Sequence, residues 1–90
     1  MPKIIVPAVL RARMNEPLNE VEVEGATVGD ALQGLANRHP ELADILFVND
    51  TLHPSLCVFL DNRAVPADQY LTEAVESDAE IMLVPPIAGG

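Results

Sequence analysis

The sequence predicts an α+β fold, in which a mixed sheet of four to five strands carries one main helix across one face. Two apolar runs, residues 3–10 and 80–84, stand near opposite ends of the chain and read as strands. Residues 19–24 alternate polar side chains with valine, which is typical of a half-exposed strand. Residues 28–38 carry apolar side chains at helical spacing and supply the helix.

The first run is apolar on both faces of the expected strand, so we expect an interior strand that is covered on each side. Pro7 lies inside it and predicts a bulge or a missing hydrogen bond at that point. Residues 11–17 are polar and turn-like. A short loop of this kind would join the first two strands into a hairpin.

The main helix has recognisable ends. Thr27 is followed three residues later by Asp30, the pattern of a hydroxyl cap and an acid in the first turn. Arg38 suits the negative end of the helix dipole. The pair His39-Pro40 then breaks the pattern, and Pro40 can open a short second helix over residues 40–46.

The second half of the chain contains shorter elements. Residues 47–54 resemble a loop in which Asn49 and Asp50 favour a turn. A third strand over residues 56–60 is followed by a tight turn at 61–63 and a short strand at 64–65 that Pro66 ends. Residues 68–76 can hold a single helical turn around Tyr70-Leu71. The last strand covers residues 80–84.

The first and last strands are the most apolar, so we place them side by side in the centre of the sheet and parallel. This arrangement is a β-grasp, or ubiquitin-like, fold. If Ile81 and Leu83 point toward the helix, then Met82 and Val84 point away from it. Exposed apolar side chains there would form a docking surface. The alternative is that loops cover them.

Composition limits the classes of function. Ninety residues form one domain, expected here as a body over residues 1–84 and a flexible tail over residues 85–90. Hydrophobic residues make up 49% of the chain, which excludes disorder, and 3% aromatics predict an aliphatic core. No membrane span or signal peptide is recognisable, so a cytoplasmic protein is expected. A net charge of −9 argues against nucleic acid and anionic membranes as partners.

Few residues of the body offer chemistry. Cys57 lies in an apolar run and is expected to be a buried, inert thiol. His39 and His53 have no companion at metal-ligand spacing, and Glu73 and Glu76 lie in a polar, solvated stretch. No catalytic residue and no metal site is therefore expected, which favours a carrier or a binding module over an enzyme.

The carboxyl end is the most informative segment. Pro85 and Pro86 end the strand and direct the chain stiffly away from the body. Ala88, Gly89 and Gly90 have little or no side chain, so they could thread a narrow channel in a partner. Six extended residues reach roughly 20 Å. The alternative interpretation is an ordinary frayed terminus.

The whole chain resembles the MoaD/ThiS-type ubiquitin-like sulfur carriers. The resemblance rests on residues 27–32 at the start of the helix, on residues 58–62 at the third strand, and above all on residues 83–90. The Ala88-Gly89-Gly90 ending and the loop-rich stretch before Val58 are most similar to the CysO-type carriers of cysteine biosynthesis.

The resemblance implies a mechanism. An E1-like enzyme would adenylate the carboxylate of Gly90, and a sulfur donor would convert it to a thiocarboxylate. Gly89 and Ala88 would allow entry into the partner, while Pro85, Pro86 and Ile87 would direct the tail. This chain would bind no cofactor, since ATP and magnesium belong to the activating enzyme.

The partners implied are that enzyme and a synthase that accepts the sulfur, for cysteine or a related sulfur metabolite. Two alternatives stay open. One is the small subunit of molybdopterin synthase, and the other is a protein modifier that is conjugated to lysines through Gly90.

Overall fold

A computed structural model describes residues 1–49, 51–54 and 56–84 of the chain. The strands in this part are β1 (Lys3–Ile5), β2 (Glu20–Glu22), β3 (Phe47–Val48), β4 (Thr51–Leu52), β5 (Cys57–Leu60), β6 (Arg63–Val65) and β7 (Glu80–Val84). The helices are α1 (Ala8–Arg11), α2 (Val28–Arg38) and α3 (Ala43–Leu46), with 3₁₀ turns at Pro40–Leu42 and Ala67–Gln69.

The sheet has the predicted β-grasp topology. Its order is β2-β1-β7-β5-β6, and β3 and β4 form a separate hairpin. β1 and β7 are parallel neighbours in the middle, with Ile4 opposite Ile81. The remaining pairs in the sheet are antiparallel. The prediction that the first and last strands lie adjacent, central and parallel is confirmed.

Helix α2 has the predicted bounds, and its first turn is held by capping and by a loop. The Thr27 hydroxyl accepts a hydrogen bond of 3.2 Å from the backbone N–H of Asp30. The N–H groups of Val28 and Gly29 donate to the carbonyls of Glu73 and Tyr70 at 3.0 and 2.8 Å. Because a helix leaves its first N–H groups without intrahelical partners, these bonds both satisfy α2 and tie the 69–75 loop to it.

The core lies between α2 and one face of the sheet. It is aliphatic, as expected, except for Tyr70. Its largest fully buried side chains are Ile4, Leu10, Leu32, Leu35, Leu42, Leu46, Ile81, Leu83, Val6, Val23, Val28 and Val58. Burial of this apolar surface is the main stabilising term for a domain of this size.

The first predicted strand is too long. The strand ends at Ile5, and Ala8–Arg11 is a short helix that begins after Pro7. Val6 still donates to the carbonyl of Asn19, but Pro7 has no N–H and cannot continue the ladder. The apolar residues after Pro7 therefore bury Leu10 on one side of a helical turn and leave Val9 exposed. β1 and β2 do pair as an antiparallel hairpin, but α1 lies in their connection.

Two further expectations are corrected. β1 is not covered on both faces, because Ile4 is buried while Ile5 is only half-buried. The expected 47–54 loop contains the β3–β4 hairpin, in which the Thr51 hydroxyl donates to the carbonyl of Val48 at 2.8 Å. Asn49 has a positive φ of 53°, as a turn residue can, and Asp50 lies outside the described residues.

The other short elements are close to the predictions. Residues 40–46 form a 3₁₀ turn followed by α3, with Pro40 at the first position. Asp61 and Asn62 have φ values of 49° and 69°, so both central residues of the β5–β6 turn are left-handed, as a two-residue hairpin turn requires. A 3₁₀ turn at Ala67–Gln69 precedes the helical turn expected around Tyr70-Leu71, where the N–H of Glu73 donates to the carbonyl of Gln69 at 2.8 Å.

Tyr70 joins the loop after β6 to the start of β5. Its side chain is 5% exposed, and its hydroxyl donates to the carbonyl oxygen of Leu56 at 2.8 Å. Tyr70→Phe removes this donor, so we expect the free energy of unfolding at neutral pH to fall by about 1 kcal/mol. Urea unfolding of the two proteins measures the difference, and equal stabilities would contradict the bond's contribution.

Tyr70→Phe should also change how the free energy of unfolding depends on pH. Burial raises the pKa of the Tyr70 phenol above its ordinary value of 10.0. A group whose pKa is higher in the folded chain than in the unfolded chain favours folding when it is protonated. This contribution is fully present below the unfolded-state pKa and is lost as the pH rises through the folded-state pKa. Above pH 10 the native chain should lose more stability than Tyr70→Phe. Lys3 also titrates with a raised pKa, but it is present in both proteins and cancels in the comparison.

Candidate functional site

The site is built around β7, the strand that leads to the carboxyl end. β7 is hydrogen-bonded on one side to β1 and on the other to β5. Its side chains alternate, with Ile81 and Leu83 buried under α2 and Glu80, Met82 and Val84 exposed. The last described residue of the chain, Val84, is therefore held in the centre of the sheet.

An apolar strip crosses the sheet face that α2 does not cover. The register places Ile5 and Phe59 on either side of Met82, and Cys57 opposite Val84. Met82 and Val84 are 43% and 42% exposed, while Ile5 and Phe59 are half-buried. We call Ile5, Cys57, Phe59, Met82 and Val84 the open-face strip. It ends at the point where the chain continues toward Pro85.

Charged residues border the strip at the start of β7. The Lys3 ammonium lies 3.0 Å from a carboxylate oxygen of Glu20 and 3.7 Å from one of Glu80. The hydrogen bond with Glu20, together with the charge of both carboxylates, raises the pKa of Lys3 above its ordinary value. Asp61 accepts a 3.0 Å hydrogen bond from the backbone N–H of Glu80. The open face thus changes along β7 from charged at Glu80 to apolar at Val84.

The predicted docking residues Met82 and Val84 lie together on this strip, and their docking role stays a prediction. The predicted tail residues lie outside the described residues. Their assigned roles, covalent carrier for Gly90 and partner entry or direction for the others, therefore stay predictions. These others are Pro85, Pro86, Ile87, Ala88 and Gly89.

Cys57 was placed wrongly by the sequence argument. Its thiol is exposed and free, because the strand alternates and buries Leu56 and Val58 instead. Sequence reasoning also missed Ile5 and Phe59 as members of the strip. The strand pairing could have found them, since residues level with Met82 on β1 and β5 must share its face.

The candidate catalytic groups of the body do not converge. His39 Nδ1 lies 3.7 Å from Glu41, whose pKa is lowered mainly by a hydrogen bond from the backbone N–H of Asn15. His53 lies elsewhere, on a groove of about 360 Å³ between α2 and the β3–β4 hairpin. Glu73 pairs with Arg63 at 3.2 Å. Within residues 1–49, 51–54 and 56–84, no three His, Cys, Asp or Glu side chains form a group that could hold a metal ion.

None of the helices in the described part of the chain is long and apolar enough to cross a bilayer.

Known proteins share both the sequence pattern and the fold. The sequence profile of the ThiS family matches residues 4–90. Over 72 residues the chain is 39% identical to small archaeal modifier protein 1 of Haloferax volcanii. The aligned stretch covers 78% of this chain and 78% of that protein. The crystal structure of that Haloferax volcanii modifier superposes with a TM-score of 0.78 and 32% identity, over 99% of this chain and 98% of that one.

A chain of the Amycolatopsis orientalis BexX/CysO complex superposes over 100% of both chains, with a TM-score of 0.84 and 24% identity. At 24% identity, this structural similarity shows that the two chains share a fold. The β-grasp body and these relatives define a small ubiquitin-like protein of the carrier and modifier class. The chain belongs to the ThiS family, and the resemblance to MoaD/ThiS-type carriers is confirmed.

Neighbouring residues of β7 give a matched test of the open face. Leu83 is buried and Met82 is exposed, so Leu83→Ala should lower the free energy of unfolding by about 3 kcal/mol and Met82→Ala by less than about 1 kcal/mol. Chemical denaturation of both variants measures the two losses. Equal losses would mean that the open-face strip is covered in solution.

Proposed function

We propose that the protein is a sulfur carrier whose reactive group is the carboxyl end at Gly90. The observation that carries this proposal is the position of β7. This central strand of a ThiS-family β-grasp body carries exposed apolar side chains and is the last strand before the Gly-Gly end of the sequence. The body would serve as the surface that partner enzymes bind. The chemistry would take place on the terminal carbonyl carbon, in the active sites of partner enzymes.

The first step is adenylation by an E1-like enzyme that supplies ATP and magnesium. A carboxylate oxygen of Gly90 attacks the α-phosphorus of ATP and pyrophosphate leaves, which makes the acyl carbon electrophilic. A sulfur donor then attacks that carbon and AMP leaves. If the donor is hydrosulfide, the chain then ends directly in a thiocarboxylate. If the donor is a persulfide, an acyl disulfide forms first, and a thiol must cleave its S–S bond, which releases the thiocarboxylate and leaves the thiol and the former donor sulfur joined as a disulfide. A synthase takes this sulfur into a product, which we propose is cysteine or a related metabolite, in the cytoplasm where ATP is available.

Glycine suits these last positions for a steric reason. A Cβ atom at the end of the chain would widen the part that must approach a partner's reactive atoms, and glycine has none. Ala88 adds a single methyl group, so the three last residues form the narrowest segment of the sequence. The tail therefore suits a narrow channel, while the body remains outside it.

The open-face strip is the proposed docking surface for the partners. Burial of Met82 and Val84 in a complex would remove apolar surface from water, which favours association. The acidic border at Glu20 and Glu80, and the net charge of −9, favour a partner with basic groups around an apolar centre. The BexX/CysO complex supports the idea that a body of this fold binds a partner protein.

A specific observation favours a second candidate function. The chain is 39% identical to small archaeal modifier protein 1, so conjugation of Gly90 to lysines of other proteins is the alternative. Both functions begin with the same adenylation. A third candidate, the small subunit of molybdopterin synthase, would use the same thiocarboxylate but remain bound to a large subunit.

Intact-mass analysis of the protein from its native cells separates these candidates. A mass gain equal to the exchange of one oxygen for one sulfur supports a carrier, and its appearance only within a stable complex with a second chain supports the synthase subunit. Gly-Gly remnants on lysines of other proteins, with no thiocarboxylate, would support the modifier instead.

Deletion of Gly90 tests the position of the reactive group. We expect the deletion to abolish ATP–pyrophosphate exchange with the activating enzyme, because the chain then ends at Gly89, one residue short of the adenylation position. The thermal unfolding temperature should not change, since every core side chain in the described part of the chain precedes Val84. The control variant Glu76→Gln, at an exposed residue outside the open-face strip, should retain full exchange. Undiminished exchange after the deletion would contradict the proposal.

A second variant pair tests the docking surface. Met82→Glu places a charge in the open-face strip and should weaken binding to the activating enzyme about tenfold or more. Leu71→Glu makes the same kind of change at an exposed leucine outside the strip and should leave the affinity unchanged. Calorimetric titration measures both dissociation constants. Equal effects of the two variants would exclude the strip as the docking surface.

A further inference from the structure

A groove of about 360 Å³ lies between α2 and the β3–β4 hairpin, on the side of the sheet that α2 covers. Its apolar lining comes from Phe47 and Leu52 of the hairpin, from Pro54, and from Leu71 in the loop after β6. We call it the helix groove. The open-face strip lies on the other face of the sheet, so the two surfaces are separate.

Leu71 stands at the rim of the helix groove. At 79% it is the most exposed large apolar side chain in the described part of the chain. Its neighbour Tyr70 is fixed at both ends, because its carbonyl accepts from the N–H of Gly29 at 2.8 Å and its hydroxyl donates to Leu56. A Cβ atom at Gly29 would lie 2.9 Å from Cδ2 of Leu71, so only glycine lets this leucine rest against α2 undisturbed.

The hairpin wall of the groove is also tied to the body. Phe47 and Leu52 are opposite each other in the β3–β4 register, and both pack against the core. The N–H of His53 donates to the carbonyl of Leu46 at 2.8 Å, which joins the end of β4 to α3. Both walls therefore exist before any ligand binds, which lowers the ordering cost of binding.

The polar groups of the helix groove favour a cation over an anion. Asp30 brings a carboxylate to the α2 side, on a chain with a net charge of −9. Nearby donors are already engaged: the N–H of Asp30 with the Thr27 hydroxyl, and that of Gly29 with a loop carbonyl. The Thr51 hydroxyl donates to Val48. An acidic ligand would meet these engaged donors and be repelled by the carboxylate.

The openness of the groove favours a protein segment as its occupant. Asp30, Pro54 and Leu71 are all exposed, so the rim is open to solvent. Small-molecule sites bury most of the surface of their ligand. A peptide, by contrast, lays only some of its side chains into a groove and leaves the others in water.

We infer that the helix groove binds a segment of a partner protein in which a large apolar side chain stands next to a lysine or arginine. The apolar side chain would cover Leu71 and Leu52, and the cation would lie near Asp30. This binding does not use the open-face strip, so this partner and the activating enzyme could occupy the two faces at once. The inference does not rest on the proposed activation of Gly90.

The first experiment selects heptapeptides from a random library displayed on phage, with the full chain as the target. Phage that bind the Leu71→Ser chain equally well are removed, so the remaining peptides require the helix groove. We expect these peptides to share a large apolar residue beside a lysine or arginine. No remaining peptide, or a shared pattern without a basic residue, would overturn the inference.

The second experiment measures the dissociation constant of one selected peptide by fluorescence polarisation. Asp30→Asn should raise it about threefold, because an exposed ion pair is lost. The matched control Asp44→Asn changes an acid in the first turn of α3, outside the groove, and should leave it unchanged. Met82→Ser makes the same kind of change as Leu71→Ser but in the open-face strip, and should also leave it unchanged.

Two results of this measurement would overturn the inference. If Asp30→Asn has no effect, or the same effect as Asp44→Asn, the groove carboxylate does not bind the cation. If Met82→Ser weakens binding, the peptide occupies the open-face strip instead. Thermal unfolding of each variant confirms that the fold is intact. Neither experiment uses the activating enzyme, so failure of the proposed function leaves both measurements unaffected.

Discussion

The packing of β7 against α2 on one face only is the constraint on which the rest of the structure depends. Ile81 and Leu83 must be buried beneath the helix, so the alternate side chains Met82 and Val84 must face away from it. Hydrogen bonds from β1 and β5 hold the strand on both edges, and no side chain on the open face is needed for that. Stability thus uses one face of these five residues, and the proposed docking of partners would use the other.

The connections to β7 and α2 are held by polar contacts at their first residues. Asp61, in the left-handed turn of the β5–β6 hairpin, accepts a hydrogen bond from the N–H of Glu80 and so fixes the entry to β7. At α2, the carbonyls of Glu73 and Tyr70 accept from Val28 and Gly29. The long segment between β6 and β7 is therefore tied to the helix although it contains little regular structure.

Sequence reasoning predicted the parts of the fold that local patterns specify. Val28–Arg38 and Glu80–Val84 were predicted with their observed bounds, because the helix has a cap and a helical period and the strand is an apolar run bounded by Glu80 and Pro85. Predictions failed where an apolar run allowed two structures. The residues after Pro7 form a helical turn, and Cys57 faces solvent, because tertiary packing decides which side of a short apolar run is buried.

For the site, the sequence predicted the residues of β7 but not their neighbours. Ile5 and Phe59 join the open-face strip only through strand register, which links residues far apart in the chain and is not visible in any local window. The ion pairs of Lys3 depend on the same register, since Glu20 and Glu80 come from the strands on either side of it.

The alternation along β7 also restricts how the length of this segment can change. Ile81 is paired with Leu60 of β5. Insertion or deletion of one residue between Ile81 and the end of β7 would turn every later side chain of the strand to the other face. A change of two residues would keep the faces and only move the carboxyl end along the sheet. Lengths that differ by an even number thus keep the same side chains on the open face, and odd differences require a compensating bulge.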